Sequence, residues 1–519
     1  MEIEKSTDGR AEGPHTRSMG SPVAPLIVSA LLGVLALGGA GCGAAARGSA
    51  ERSPGERNSA GGGADGGGSG APSGRTSGVR YLVRADAALT RLRVEACFDG
   101  APPARIAPAS RDALGAALEV RGSDGRAFPL GADGARLEGL APGACVHYAL
   151  DLERATWGRG AVRSGGDLLL AQTHFLWRPE PMPRGLDVRL RLELPEGLHA
   201  SAPFLRPGVD EHVLRPSILR VIGNVAFVRE PPLRFEEGGA EVEVAQLRGA
   251  LRADREDVKR WIAEAVRCVS LVDGRFPRER LHVVVVPVGP GARPVAFGLV
   301  RRGGGPSVML LAHANAAPEA LLRDWTAVHE LSHLAMPRMY EEDRWLSEGF
   351  ATYYQEILRG RGGLLSEEEV WARFLDGFDR GRAVGTSRSL WRESATVHQT
   401  GAYRRIYWAG AAYFLAADVR LRQRGRSLDE LVGAGRALWG RRGGAWEGRE
   451  VLRAMDARLE APTLLPLAER WGDARGFPDV EALLEELGVR RRGDGVVLDD
   501  AAPLAAVRRA LLRAPLSAE

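Results

Sequence analysis

The segment AVHELSHLA, at residues 327–335, contains two histidines four positions apart, His329 and His333. On a helix this spacing puts both imidazoles on one face, one turn apart, where they can bind one metal ion at about 2.0–2.1 Å each. Glu330 follows the first histidine directly and is poorly placed as a third ligand. It can instead act as general base on a water molecule at the metal. The pattern therefore predicts a zinc site with a catalytic carboxylate.

A catalytic zinc site needs a third protein ligand and an open fourth position. In the metzincin class, positions 336 and 339 would have to be glycine and histidine, but they are Met336 and Met339, which excludes that class. In the gluzincin class, a glutamate of the next helix completes the set. Glu348 fits this description, because it lies in the second turn of a helix predicted from Arg344 to about Arg359, with Asp343 as its N-cap.

The helix that carries the histidines is predicted to be continuous. Pro318 fits its first turn, and Pro337 ends it shortly after His333. Apolar residues supply a buried side: Leu321, Leu322, Trp325, Val328, Leu331 and Leu334. A pair of salt-bridged helices with two polar histidines would show the same pattern, so a purely structural role is the alternative.

The two motifs resemble those of a known family. HELSH and WLSEGFATYY, at 345–354, resemble the paired zinc motifs of aminopeptidase N-type gluzincin peptidases and their glycyl-aminopeptidase-like relatives. Weaker similarity is found in GRFPRERLHVVVVPV, at 274–288, and in IYWAGAAYFLAADVRLRQRGRSLDELV, at 406–432. The resemblance covers about residues 250–440. It implies a thermolysin-like catalytic domain that binds one Zn²⁺ and hydrolyses peptide bonds.

The resemblance also implies a role for each site residue. His329, His333 and Glu348 would bind the zinc ion, and Glu330 would be the general base. Tyr407 falls on the family tyrosine whose hydroxyl stabilises the oxyanion of the tetrahedral intermediate. Two neighbours remain alternatives for this last role, Tyr403 and His398.

Three features depart from the family pattern. Fourteen residues separate His333 from Glu348, fewer than in aminopeptidase N, and Ala409 replaces a family lysine. No acidic residue occurs between Glu279 and Glu319, where the related aminopeptidases carry a glutamate that binds the substrate's free amine; Arg301 and Arg302 lie there instead. This favours an endopeptidase. An aminopeptidase of the same fold and a non-catalytic envelope binding lipoprotein are the alternatives.

The N-terminal residues predict export. Basic residues precede an apolar run, LIVSALLGVLAL at 26–37, and GGAGC ends at Cys42. We interpret residues 1–42 as a signal peptide with a lipoprotein cleavage box, and 43–78 as a flexible Gly/Ser-rich linker. A second interpretation takes 26–46 as a membrane-spanning anchor. Both interpretations place a membrane-tethered protein in the bacterial cell envelope, periplasmic or facing the surface.

The rest of the chain predicts a multi-domain α+β protein. Residues 79–247 contain many short alternating or apolar segments separated by Gly, Pro and Asp, which predict an all-β, β-sandwich-like domain. The thermolysin-like zinc peptidase domain is expected at 248–445, and a helical C-terminal segment at 446–519. We find no catalytic constellation in the β domain, where four histidines are scattered.

Cysteine content and charge limit the remaining choices. Cys97 and Cys145 lie in strand-like surroundings and could pair in an oxidising compartment, whereas Cys268 lies in an amphipathic helical pattern and is expected to be a buried thiol. The alternative is that all three are buried free thiols. The net charge of +4 is small for 519 residues and gives no case for nucleic acid as a partner.

Overall fold

The computed structural model describes residues 76–109, 111–154, 160–385, 387–441 and 444–514. The predicted signal peptide, Cys42 and nearly all of the predicted linker lie outside these ranges. Within them, no helix has both the length and the apolar character that a membrane span requires.

The N-terminal part of the described chain is built from strands in which alternate side chains are buried. In the second strand, for example, Leu92, Val94, Ala96 and Phe98 face the core, while the residues between them are more exposed. The strands in chain order are β1 (Gly78–Ala85), β2 (Arg91–Asp99), β3 (Arg105–Ala107), β4 (Ala117–Gly122), β5 (Ala127–Phe128), β6 (Leu130–Gly131), β7 (Gly134–Arg136), β8 (Cys145–Asp151), β9 (Ala161–Ser164), β10 (Asp167–Leu170), β11 (Arg178–Glu180), β12 (Asp187–Glu193), β13 (His199–Ser201), β14 (Glu211–Leu214) and β15 (Val225–Val228).

These strands form one large and two small sheets. The large sheet has the order β14-β12-β1-β2-β8-β4-β5, and the small ones have the orders β13-β15-β10-β9 and β11-β3-β7-β6. Cys97 on β2 lies directly opposite Cys145 on β8, and the two form a disulfide. Cys268 is a buried free thiol. The structure therefore has the disulfide, one of the two alternatives that the sequence left open, and it confirms the predicted buried thiol.

A further sheet begins before residue 247. It contains β16 (Leu233–Glu237), β17 (Ala240–Gln246), β18 (Arg280–Val288), β19 (Val295–Arg301) and β20 (Ser307–His313), in the order β16-β17-β18-β20-β19. β17 pairs in parallel with β18, so the last two strands of the predicted β domain belong to this sheet. The change of sheet therefore falls between residues 228 and 233, earlier than the boundary that composition indicated.

Two cores cover the two faces of this sheet. On one face, Val284, Val286, Met309 and Leu311 pack against apolar residues of β9, β10 and β15. On the other face, Val283, Val285 and Leu310 join the core of the helices. The continuous apolar run of β18 is thus buried on both faces, as its composition predicts.

The C-terminal part is mostly helical. The helices are α1 (Arg255–Ser270), α2 (Pro318–Arg323), α3 (Thr326–Ser332), α4 (Arg344–Arg361), α5 (Glu367–Arg382), α6 (Leu390–Thr400), α7 (Tyr403–Arg422), α8 (Leu428–Arg441), α9 (Gly448–Asp456), α10 (Leu464–Asp473), α11 (Glu481–Glu486) and α12 (Ala505–Leu511). The segment predicted as helical from 446 onward also contains a hairpin, β21 (Val489–Arg492) with β22 (Gly495–Leu498). Gly493, at a φ of 58°, forms its turn, a conformation that glycine adopts without steric cost.

Two glycines let α4 and α7 approach closely. A Cβ atom at Gly349 would lie 2.3 Å from the Cα atom of Gly410. Any larger side chain would force the helices apart. This contact places Glu348, on α4, opposite the first turns of α7, where the candidate tyrosines lie.

Candidate metal centre

The helix that carries the histidine pair is shorter than the sequence indicates. The prediction of one continuous helix from Pro318 is wrong, because α2 ends at Arg323 and α3 begins at Thr326. Asp324 between them is extended, and its Oδ1 accepts a hydrogen bond from the Thr326 amide at 2.7 Å. The aspartate thereby starts a new helix. His333 lies just past the end of α3, in a 3₁₀ turn.

The three predicted ligands converge despite this break. Oε2 of Glu348 lies 3.3 Å from Nε2 of His329 and 3.4 Å from Nε2 of His333. One donor atom of each side chain lies within 4.8 Å of the other two. Two ligands bound at about 2.0–2.1 Å in a tetrahedral site lie roughly 3.3–3.4 Å apart, so these two separations fit a zinc ion. The donor set, two imidazoles and one carboxylate, is one that zinc uses in catalytic sites.

The other ring nitrogen of each histidine has its own partner. Nδ1 of His329 lies 2.8 Å from Oε1 of Gln355, and Nδ1 of His333 lies 3.3 Å from Oγ of Ser347. The amide oxygen of Gln355 only accepts, so it requires a hydrogen on Nδ1 of His329, whereas the Ser347 hydroxyl can pair with either tautomer of His333. Sequence reasoning missed both partners. The available signal was that Gln355 lies seven positions, or two turns, after Glu348 and therefore on the same face of α4.

Gln355 is itself held by a buried chain. Its Nε2 donates to Oε1 of Glu356 at 2.8 Å, and Nη1 of Arg359 donates to Oε2 of Glu356 at 2.9 Å. Because the amide nitrogen is occupied in this way, the amide oxygen is the atom that faces His329. The chain therefore fixes the orientation of Gln355.

The start of α4 differs from the prediction. Asp343 does not cap the helix through its side chain; its Oδ2 accepts a hydrogen bond from the Gly448 amide at 2.7 Å instead. Asp343 therefore ties α4 to α9. The predicted Asp343 cap is wrong, whereas Glu348 does lie in the second turn of α4.

The site's charges favour a cation. Burial raises the pKa of Glu348, but the charges of His333 and His329 and their hydrogen bonds outweigh burial and hold this pKa well below its usual range. Burial lowers the pKa of His329, but its hydrogen bond to Glu348 and the charges of Glu330 and Glu348 raise it overall. A carboxylate anion facing two imidazoles is the arrangement that a divalent cation would neutralise.

Glu330 lies between the histidine pair and the edge strand β19. A Cβ atom at Gly298 would lie 2.6 Å from Cγ of Glu330, so glycine is the residue that leaves room for this carboxylate. The Val300 amide hydrogen-bonds to it from the same strand. Burial raises the pKa of Glu330, against the charges of His329 and His333. The structure thus places the predicted base next to the candidate metal ligands.

The candidate tyrosines lie on the first turns of α7. The Tyr407 ring centroid is 6.1 Å from that of His329, and the Tyr407 hydroxyl hydrogen-bonds to Glu348. Burial and the charge of Glu348 raise the pKa of Tyr407 well above its usual value. Tyr403 lies one turn earlier, and its hydroxyl is 2.6 Å from Nδ1 of His398. Tyr407 therefore lies against the metal centre, Tyr403 packs beside Tyr407, and His398 contacts Tyr403.

The sequence placed Arg302 at the substrate edge strand, but its guanidinium lies elsewhere. Its Nη2 donates to the His333 carbonyl at 2.6 Å and lies 3.4 Å from the Met336 carbonyl. These carbonyls end the segment that carries the histidines, where a cation is favourable. Arg302 therefore stabilises this end of the segment. Its guanidinium therefore does not lie along the β19 edge, where the sequence had placed it together with Arg301.

Comparison with known proteins gives a fold. No family model and no curated protein matches the sequence. An aminopeptidase N family protein from Idiomarina loihiensis superposes with a TM-score of 0.62 at 16% identity, over 79% of this chain and 78% of that one. An M1 zinc metallopeptidase from Deinococcus radiodurans gives 0.47 at 18% identity, over 78% and 94%. Native yeast LTA4 hydrolase gives 0.48 at 10% identity, over 79% and 70%.

The first of these likenesses establishes the architecture. The chain has the α+β multi-domain fold of the aminopeptidase N family protein, with β-rich N-terminal and helical C-terminal parts. The gluzincin aminopeptidase-like fold implied by the two sequence motifs is therefore confirmed. At this level of identity the likeness shows the fold alone.

Proposed function

We propose that the protein is a zinc-dependent metallopeptidase that binds one Zn²⁺ through His329, His333 and Glu348. The observation that carries the proposal is the spacing of the three donor atoms, with both histidine Nδ1 atoms held by other partners. An adjacent, partly buried carboxylate, Glu330, supports catalysis beyond metal binding. A structural pair of helices would have no need of that base.

Each side chain has a distinct task in this proposal. When bound, zinc polarises the substrate carbonyl and makes a water molecule more acidic. Glu330 accepts a proton from the attacking water at its carboxylate and then delivers it to the nitrogen of the leaving amine. Tyr407 donates a hydrogen bond to the carbonyl oxygen as negative charge develops there.

The edge strand provides a surface for the substrate. Within the described residues, β19 pairs with β20 alone, so its second edge is available to an extended peptide. A peptide that pairs with this edge passes beside Glu330, which packs against Gly298 of the same strand. Backbone pairing of this kind positions a scissile bond with little dependence on side chains.

Two cleavage modes compete within this proposal. The fold of an aminopeptidase N family protein favours removal of N-terminal residues. The lack of any acidic residue from 280 to 318 favours an endopeptidase, because the edge strand carries no carboxylate to bind a free amine. Aminopeptidase activity is the first candidate, because it agrees with the family of the structural relative, and endopeptidase activity is the second.

Activity is tested first with a peptide-library digest by the full chain and its Glu330→Gln variant. We expect the variant to keep its zinc, measured by elemental analysis, and to lose about 10²–10⁴-fold in rate. Glu319→Gln, at an exposed position on α2, is the matched control. Equal products from the parent and Glu330→Gln would reject the assigned base. A zinc-loaded parent that cleaves nothing would favour a binding protein.

The cleavage mode is tested with paired peptides that have free and acetylated N-termini. An aminopeptidase releases single residues from the free peptide and leaves the acetylated one intact. An endopeptidase cuts both at the same internal bond. Mass spectrometry of the products distinguishes these results directly.

We also propose that the protein is exported and membrane-tethered, on the basis of the sequence at 1–42. Lipidation of Cys42 would be visible by mass spectrometry of the N-terminal peptide from the membrane fraction. Cys42→Ser should release the chain into the soluble fraction if the lipid holds it. Retention of Cys42→Ser in the membrane would favour the spanning anchor at 26–46.

A further inference from the structure

A cationic side chain lies one turn before Glu348 on the same face of α4. The Arg344 side chain is 15% exposed and forms an ion pair with Glu341. Its Nη2 also lies 3.1 Å from Nε2 of His398, in the last turn of α6. Because a guanidinium group only donates hydrogen bonds, Nε2 of His398 must be the acceptor of this contact.

This contact determines where the proton of His398 lies. A neutral imidazole that accepts at Nε2 carries its hydrogen on Nδ1, and this nitrogen is 2.6 Å from the Tyr403 oxygen. Burial and the charge of Arg344 lower the pKa of His398, which keeps the ring neutral. His398 therefore donates to Tyr403, and the hydroxyl proton of Tyr403 is left for another acceptor.

Tyr403 lies beside Tyr407, the tyrosine that contacts the metal centre. Its ring centroid is 6.4 Å from that of Tyr407. Burial raises the pKa of Tyr403, the charge of Arg344 lowers it, and the charge of Glu348 raises it. The Tyr407 hydroxyl already hydrogen-bonds to Glu348. Because His398 donates to the Tyr403 oxygen, the Tyr403 proton also remains available to a substrate.

We propose that Tyr403 is a second hydrogen-bond donor to the reacting carbonyl group of the substrate, and that Arg344 and His398 are positioning residues that orient its hydroxyl. This proposal rests on the proposed peptidase function. In this proposal the oxyanion accepts hydrogen bonds from both tyrosines. The two have different partners within the protein, since Tyr407 hydrogen-bonds to Glu348 and Tyr403 hydrogen-bonds to His398.

The first test removes the hydroxyl. In Tyr403→Phe we expect kcat to fall by about 10²-fold with KM little changed, because the donor acts on charge that develops in the transition state. The affinity for a phosphinic peptide, a mimic of the tetrahedral state, should fall by a similar factor. Zinc content and melting temperature should stay at the parent values. Tyr340→Phe, at a tyrosine that is 49% exposed, is the matched control.

The second test separates orientation from packing. Arg344→Met should lower kcat roughly tenfold, whereas Arg344→Lys, which keeps a donor for Nε2 of His398, should restore most of the rate. Combining Arg344→Met with Tyr403→Phe should cost little beyond Tyr403→Phe alone, since both act through one hydroxyl. Fully additive losses would overturn the positioning role of Arg344.

The outcomes distinguish this inference from the proposed function. A parent protein that cleaves peptides, with a Tyr403→Phe variant of equal kcat and equal phosphinic-peptide affinity, overturns the role of Tyr403 alone. A zinc-loaded parent that neither cleaves peptides nor binds the phosphinic peptide overturns the peptidase function and this inference with it.

Discussion

Two buried clusters in this molecule are built around histidine, and they differ in what the ring nitrogens face. In the metal centre, Nε2 of His329 and Nε2 of His333 both point at the carboxylate of Glu348. In the second cluster, Nε2 of His282 lies 3.0 Å from Oγ of Ser201, and Nδ1 lies 2.9 Å from Oγ of Ser307. The first cluster gathers acceptor atoms at one point, and the second joins each nitrogen to a separate hydroxyl.

The second cluster forms a complete hydrogen-bond network. Ser201 donates to Glu243 at 2.6 Å and therefore accepts from Nε2 of His282, while Asn224 donates to Ser307 at 3.0 Å. Ser307 in turn donates its hydroxyl proton to Nδ1 of His282. The network connects β13, of the N-terminal sheets, with β17, β18 and β20. Burial lowers the pKa of His282 to about 3, as expected for a histidine that stays neutral.

The comparison shows how to read a buried histidine. Where each ring nitrogen has a hydrogen-bond partner of its own, the residue joins sheets and specifies their register. Where lone pairs of two rings and a carboxylate meet within bonding distance of one point, the arrangement is stable only with a cation or with extra protons. Burial alone does not distinguish the two cases, since His282 and His329 are both buried.

The largest expected effect comes from removing a histidine of each cluster and comparing the zinc content of the two variants. His329→Ala should abolish stoichiometric zinc binding and reduce peptidase activity by more than the roughly 10–100-fold that changes around metal ligands cost. His282→Ala should leave zinc content at the parent value, although the fold is less stable. Elemental analysis of both purified variants checks this. Equal zinc content in His329→Ala and the parent would refute the metal centre.

The next effect concerns the partner of His329. Gln355→Met removes the acceptor at Nδ1 with little change in volume, and we expect zinc affinity to fall by about 10–100-fold in a chelator competition titration. Thr352→Val, on the same helix, is the matched control, because the buried Thr352 hydroxyl has no hydrogen-bond partner among the described residues. Parent affinity in Gln355→Met would mean that the histidine is oriented by packing alone.

A third prediction concerns the pH dependence of the free energy of unfolding that the buried neutral His282 causes. His282 has a pKa of about 3 when folded and about 6.5 when unfolded, so the unfolded chain binds more protons between these values. This histidine should therefore make the free energy of unfolding fall by about 1.4 kcal/mol for each unit that the pH decreases below 6.5. Denaturant unfolding of the parent and His282→Gln from pH 7.5 to 5 measures it. The parent should lose stability more steeply, and equal slopes would contradict the neutral network.

Much of the metal centre was accessible from the sequence because its spacing follows helix geometry. His329, His333 and Glu348 belong to two short motifs, and the fold class followed from strand-like segments that precede helical ones. The break at Asp324 was missed because the apolar periodicity of the surrounding residues continues across it. A local side-chain hydrogen bond, from the Thr326 amide to Asp324, overrides that pattern.

Contacts between residues far apart in the sequence explain the other features that the sequence did not predict. β17 has the same alternating character as the strands before it, yet it pairs with β18, whose sequence lies beyond α1. Arg302 appeared to line the substrate edge, but its guanidinium reaches carbonyls more than thirty positions later. Such contacts depend on how the elements pack, which neither periodicity nor motif spacing encodes.

The smallest expected effect separates the two histidines of the metal centre. Oγ of Ser347 lies 3.3 Å from Nδ1 of His333, a longer contact than the 2.8 Å between Gln355 and His329, and His333 is more exposed than His329. A hydrogen bond of this kind contributes about 0.5–1.5 kcal/mol, so Ser347→Ala should weaken zinc binding by only about 2- to 10-fold. Water can replace the lost hydroxyl at the more exposed ring, whereas Gln355 has no such substitute. If the same titration shows Ser347→Ala losing as much affinity as Gln355→Met, then exposure does not set the cost of removing a histidine partner, and the two sides of the metal centre are held equally.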